Sequence, residues 1–157
     1  MTNNPPFDYH LCNMNNYLNL SPKNRENTFS RRYPLSNYGV GMGALGLPGD
    51  TSSASRFVRA AFNLENSANA DTEEENVSQF FHVLDSVAML KGSTLTDAGK
   101  NDITLYACCI NTDRGIFYYK TYDNSQLTAV KLTEENMTSD HLTVFPLRKK
   151  QNVFCEN

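Results

Sequence analysis

Residues 103–132 read ITLYACCINTDRGIFYYKTYDNSQLTAVKL. Three runs rich in β-branched and aromatic residues, 103–110, 116–122 and 126–132, are separated by the polar stretches 111–115 and 123–125. Short polar turns between such runs predict an antiparallel meander. Both faces of the first two runs carry apolar or aromatic side chains, so the sheet is expected to be covered on both sides, between two layers. A further run, 141–147, reads as one more strand, which Pro146 confines to an edge. The tail, 148–157, reads as frayed.

Upstream of residue 102 the apolar period is helical. A first helix is expected over about 6–18, with Pro5 and Pro6 at its start and Phe7, Leu11, Met14 and Leu18 on one face. A second begins after Asp50-Thr51-Ser52-Ser53, any of several of which can serve as N-cap. It runs through Ala54, Phe57, Val58, Ala61 and Phe62. A third is headed by Asp71, with Glu74 three residues on in the manner of a capping box. Its stripe is Val77, Phe80, Phe81, Leu84, Val87 and Ala88, and Lys91-Gly92 ends it. Between the first two helices, 21–50 reads as a long irregular segment. Gly39, Gly41, Gly43, Gly46 and Gly49 crowd its second half, which implies tight bends or close backbone approach. Asn is abundant throughout and receives no functional weight. Helices combined with an antiparallel meander define an α+β chain.

The chain has 157 residues, 39% hydrophobic, 11% aromatic and 20% charged, with a formal net charge of −3. That is one domain's length, with enough apolar residues for a core. The acidic balance argues against a nucleic-acid partner, which would need clustered Lys and Arg. No apolar run is long enough to span a bilayer, and MTNNPPFDYH has no signal-peptide pattern, so a cytoplasmic location is expected. Cys12, Cys108, Cys109 and Cys155 form no C-x-x-C pair, and they read as free thiols in a reducing compartment. Cys108 and Cys109 should point to opposite faces of their strand. No metal or other cofactor is expected.

Several motifs have bland readings. Gly41-Met42-Gly43-Ala44-Leu45-Gly46 matches G-x-G-x-x-G, but a poor strand precedes it and a turn follows, so the dinucleotide reading fails. His10, His82 and His141 have no G-x-S-x-G elbow to serve, and His82 beside Phe81 reads as structural. Glu73-Glu74-Glu75 reads as a solvated first turn that complements the helix dipole. Arg56 and Arg59 fall away from the apolar stripe of their helix and read as surface residues. Asn3 and Asn4 before Pro5 suit either a turn or an oxyanion donor, and spacing does not separate the two.

Four ordered segments add more. They are Met1-Thr2-Asn3-Asn4-Pro5 with Phe7-Asp8, Gly46-Leu47-Pro48-Gly49-Asp50 through Ser55-Arg56-Phe57-Val58-Arg59, Phe80-Phe81-His82, and Gly115-Ile116-Phe117-Tyr118-Tyr119 through Thr121-Tyr122-Asp123-Asn124. With these the whole chain, 1–157, resembles the C-terminal half of the bile salt hydrolases (choloylglycine hydrolases), a family shared with penicillin V acylases. The resemblance implies an N-terminal-nucleophile hydrolase of αββα sandwich architecture. Such an enzyme is an amidohydrolase of linear amides that deconjugates glycine- or taurine-conjugated bile salts through an N-terminal cysteine. It implies that Asn3 contributes to the oxyanion hole and that Arg56 lies beside the nucleophile. Met89, Leu90, Lys91, Gly92, Ser93 and Thr94 would border the substrate pocket. This chain has Met1-Thr2 where the family's nucleophile would require Met-Cys. The expected partner is therefore the N-terminal half of the same enzyme, without which the chain should be inactive, and the family's homotetramer is expected when it is intact. A penicillin V acylase portion and a non-catalytic remnant of a decayed gene are the alternatives.

Overall fold

A computed structural model describes residues 4–133 and 137–156. The chain divides into two units, Met1–Ala68 and Asn69–Asn157.

The first unit holds helix α1 (Phe7–Met14), continued by a 3-10 turn at Asn15–Tyr17, and helix α2 (Ser53–Glu65). The two pack through Phe57 of α2. Its ring stacks on His10 at 4.4 Å with an interplanar angle of 7°, and meets Phe7 edge-on at 6.0 Å. Such aromatic pairs add about 0.5–1.5 kcal/mol to the area they bury. The buried face of α1 is therefore carried by His10, not by the expected stripe. Phe7, Leu11 and Leu18 remain exposed, and Leu11, Met14 and Leu18 line an open groove of about 360 Å³ against Val58, Ala61 and Phe62. His82, read as structural, is exposed instead.

The segment 21–50 is irregular but not loose, because asparagine side chains stitch it. Asn27 accepts from the Phe29 and Ser30 amides and donates to the Ser30 and Tyr33 carbonyls. Asn24 donates to the Gly39 carbonyl and accepts from the Met42 amide, and Asn37 donates to the Arg25 carbonyl. Short amides can substitute for backbone partners in this way. A 3-10 turn at Met42–Ala44 replaces the strand–turn–helix that a dinucleotide motif requires. Gly43 shows why glycine is needed: its carbonyl accepts from the Ser21 amide, and a Cβ there would overlap the Ser21 and Lys23 carbonyl oxygens.

The second unit holds helix α3 (Glu73–Asp85) and a three-stranded antiparallel sheet, β1 (Tyr106–Asn111), β2 (Ile116–Thr121) and β3 (Asn124–Lys131), in the order β1-β2-β3. The N-cap of α3 is Thr72, one residue later than expected. Its hydroxyl accepts from the Glu75 amide and donates to the Glu75 carboxylate. The helix stops at Asp85 rather than Gly92, although Val87 and Met89 beyond it stay buried with Phe81 and Val83. Residues 103–105 are not strand, since Thr104 is engaged with Met89.

Alternation along β2 then sorts the two sheet faces. Tyr118 and Lys120 reach α3, through Glu73 and Asp85. Tyr119 points the other way, and its hydroxyl accepts from the Arg148 amide at 3.2 Å. On that face Ile110, Phe117, Val130 and Leu132 share a cleft of about 590 Å³ with Leu142 and Phe145. Coverage is thus partial: α3 packs on one face, while the extended segment leaves Ile110, Leu132, Leu142 and Phe145 exposed on the other. Residues 141–147 form no strand, which corrects the edge-strand expectation. Nor is the start of the tail, 148–152, frayed: Asn124 donates to the Arg148 carbonyl, Ser125 to Gln151, and Asn152 to Gln126.

Glu73 corrects the reading of the acidic run as wholly solvated. Its carboxylate accepts from Asn111 at 2.5 Å, Tyr118 at 3.0 Å and Arg114 at 2.5 Å, tying the start of α3 to the β1–β2 turn. Desolvation works to raise its pKa, but these donors and the Arg114 cation together hold it below the ordinary 4.5. A carboxyl lowered on folding stabilises fully above its unfolded pKa and loses that contribution as pH falls.

Two outcomes follow from these contacts. Glu73→Gln should lower the thermal midpoint at pH 7 and flatten its decline as pH falls below the ordinary 4.5; an unchanged pH profile would refute the role of the carboxylate. Gly43→Ala should lower the midpoint of the chain by several degrees, as a clash costing about 1–3 kcal/mol predicts. Gly39→Ala, whose Cβ meets nothing within 4 Å, should be close to neutral. Equal melting of the two alanine variants would discard the clash.

Candidate active site

The candidate residues fall in both units. Asn3 lies outside the described residues; Asn4, beside it, joins Pro5 through a cis peptide bond. Arg56 occupies the first turn of α2 and is half-buried. Met89, Leu90, Lys91, Gly92, Ser93 and Thr94 form one turn in the second unit, between the end of α3 and β1.

The start of α2 is built around Asp50. Its carboxylate accepts from the Ser52 amide at 2.9 Å and from the hydroxyl of buried Ser55 at 2.5 Å. Ser52, the N-cap, takes the Ser55 amide on its hydroxyl, and its carbonyl accepts from the Arg56 amide at 3.0 Å. The bonds from Ser52 and Ser55 hold the Asp50 carboxyl down to about 2, from an ordinary 3.8. Arg59 is not the idle surface residue its spacing implied. Its Nη1 donates to the Pro48 carbonyl at 2.7 Å and the Asp50 carbonyl at 2.8 Å. The N-cap cluster was legible in the sequence; the double use of Asp50 and the return of Arg59 were not.

The 89–94 turn is pinned from two sides and closed on itself. The Met89 amide donates to the Thr104 hydroxyl at 2.8 Å, and the Thr104 amide donates to the Met89 carbonyl at 3.1 Å. The Lys91 amide donates to the Tyr122 hydroxyl at 2.9 Å. The Ser93 amide and hydroxyl both donate to the Leu90 carbonyl. Met89 is buried while Leu90 stands 63% exposed, so the turn presents one apolar side chain from a rigid base. Leu90 borders a cleft of about 180 Å³ with Thr104, Tyr106 and Tyr122.

Of the cysteines, Cys108 and Cys109 are half-buried and Cys12 and Cys155 exposed. Cys109 pairs with Tyr118 and Cys108 with Tyr119, so they do face opposite ways. Burial, then the neighbouring Cys108, pushes the Cys109 thiol up, which is the wrong direction for a nucleophile.

A family model described as linear amide C–N hydrolases, choloylglycine hydrolase family, matches residues 1–145. The chain belongs to that family. It is 48% identical over 157 residues to the bile salt hydrolase/transferase of Lactiplantibacillus plantarum, covering 100% of this chain and 48% of the relative. It is 36% identical to the bile salt hydrolase/transferase of Clostridium perfringens, over 98% of this chain and 46% of the relative. The chain spans about half the length of the curated relatives it matches. Among solved structures, a variant of the conjugated bile acid hydrolase from Clostridium perfringens superposes with a TM-score of 0.82 at 35% identity, over 98% of this chain and 47% of that one. Penicillin V acylase from Agrobacterium tumefaciens reaches 0.64 at 19% identity, over 90% of this chain and 38% of that one, a likeness of fold alone.

The Asp50 network makes the first turn of α2 sensitive to acid. A depressed carboxyl stabilises fully above pH 3.8 and loses that contribution as pH falls toward 2. Asp50→Asn should therefore lower the denaturation midpoint at neutral pH, and the gap from the parent chain should shrink between about pH 4 and 2. A gap that stays constant across this range would exclude the carboxylate as its source.

Proposed function

We propose that residues 1–157 are the C-terminal portion of a choloylglycine hydrolase domain that cleaves the amide bond of glycine- or taurine-conjugated bile salts. The observation that carries this reading is the 48% identity, sustained across the full 157 residues, to a bile salt hydrolase/transferase. The rest of the domain, the N-terminal half of the same enzyme, supplies the cysteine nucleophile.

In this scheme the cysteine sulfur attacks the amide carbonyl carbon while its own α-amino group takes the thiol proton. The C–N bond breaks, glycine or taurine leaves with a proton, and water hydrolyses the acyl-enzyme. Asn3 donates to the oxyanion, a contact whose loss costs about 10²–10³ in kcat. Arg56 places a cation beside the sulfur, favouring the thiolate. The pinned 89–94 turn borders the pocket, where exposed Leu90 suits the apolar steroid. The names of the two relatives join hydrolase with transferase, and an amine in place of water would take the same acyl group.

The enzyme acts as a homotetramer in the cytoplasm in this reading. The 21–50 segment, a stitched frame, leaves Phe29, Tyr38 and Val40 85%, 89% and 99% exposed, surface open to the rest of the domain or to another copy. The cytoplasmic placement draws on four cysteines that suit a reducing compartment. Among the described residues no helix is long and apolar enough to cross a membrane.

Fusing the cysteine-bearing half of a bile salt hydrolase ahead of residue 1 tests the reading. The fusion should release taurine or glycine from conjugated bile salts and leave phenoxymethylpenicillin largely intact, while the 157 residues alone release neither amino acid. Deconjugation by the 157 residues alone would overturn the division of labour, and a preference for phenoxymethylpenicillin would overturn the substrate.

A further inference from the structure

The first turn of α2 is tied down more heavily than capping requires. A serine N-cap by itself satisfies an orphan amide at a helix start. Here Ser52 does that, taking the Ser55 amide on its hydroxyl. Two further ties are added on either side of Arg56. Before it, the Ser55 hydroxyl donates to the Asp50 carboxylate at 2.5 Å, and the other oxygen of that carboxylate holds the Ser52 amide. After it, Arg59 reaches back to the Pro48 and Asp50 carbonyls at 2.7 and 2.8 Å. Helix ends ordinarily fray. This one is joined to the 48–50 loop at two successive levels, with Arg56 between them.

We infer that Asp50, Ser55 and Arg59 form a positioning clasp for Arg56, fixing the helix turn from which its guanidinium is directed at the reacting centre. The inference rests on the reading of Arg56 as the cation beside the nucleophile. The three residues act through Arg56 and touch no substrate. A long flexible side chain delivers its charge only as accurately as its Cα is held, and a misplacement of about 1 Å can cost about 10²-fold in rate.

The test is a double-mutant cycle in the fused hydrolase, with amide exchange in the 157-residue chain beside it. Asp50→Asn should lower kcat by about tenfold or more with KM little changed, and Ser55→Ala, the milder variant, should do the same to a smaller extent. Arg56→Ala should lower kcat strongly. Asp50→Asn added to Arg56→Ala should then cost less than about twofold more, because both act through one group. Full additivity would overturn the clasp while leaving Arg56 in place. An Arg56→Ala enzyme with parental kcat would overturn the assignment of Arg56 and the clasp with it. In the chain itself, Asp50→Asn should speed amide exchange at Arg56 at least tenfold more than at Phe62, later in the same helix; equal acceleration at both would reduce Asp50 to general stability and refute the clasp.

Discussion

The register of β2 between its neighbours is the constraint on which the second unit depends. Cys109 pairs with Tyr118 and Cys108 with Tyr119, so side chains two apart on β2 share a face. Tyr118 and Lys120 are thereby committed to α3, where Glu73 and Asp85 receive them. Tyr119 is committed to the opposite face and meets Arg148. The two-residue turn at Tyr122-Asp123, closed by the Thr121–Asn124 pair, then brings the Tyr122 hydroxyl to the Lys91 amide. A slip of one residue would exchange these faces and release the helix, the C-terminal segment and the 89–94 turn together.

In the first unit an aromatic contact and a carboxylate divide the work. Phe57, flanked by His10 and Phe7, holds α1 to α2 through apolar burial. Asp50 holds the start of α2 to the loop before it through hydrogen bonds to Ser52 and Ser55. The two act on adjacent turns of one helix, and Arg56 lies next to both Ser55 and Phe57. The surface given over to apolar side chains is extensive elsewhere in this unit, as Phe29, Tyr38 and Val40 show. That distribution fits a chain whose family members are about twice its length.

The proposed chemistry asks little of this chain in the way of acid–base groups. The Cys109 thiol is pushed up by burial, and the two carboxylates with lowered values, Asp50 and Glu73, are occupied as hydrogen-bond acceptors. What the chain offers is placement: a guanidinium at a fastened helix start and an apolar side chain on a fastened turn. Placement of this kind is how a protein lowers the cost of bringing reacting groups together.

The amino-acid sequence by itself determined the meander, the three helices, the opposite facing of Cys108 and Cys109, and the family through segments spread along the whole chain. These are local or linear properties, set by a period of two or of 3.6 residues or by order along the chain. Only the tertiary structure decided that Glu73 is a hub rather than a solvated charge, because its partners lie 38, 41 and 45 residues away. The same holds for Arg59 returning to Pro48, for His10 displacing the expected apolar stripe of α1, and for the tail held by Asn124 and Gln126. Periodicity ranks side chains by polarity along one element. A buried imidazole or a bound carboxylate is chosen by the donors and rings that other elements bring to it, and that choice exists only once the chain has folded.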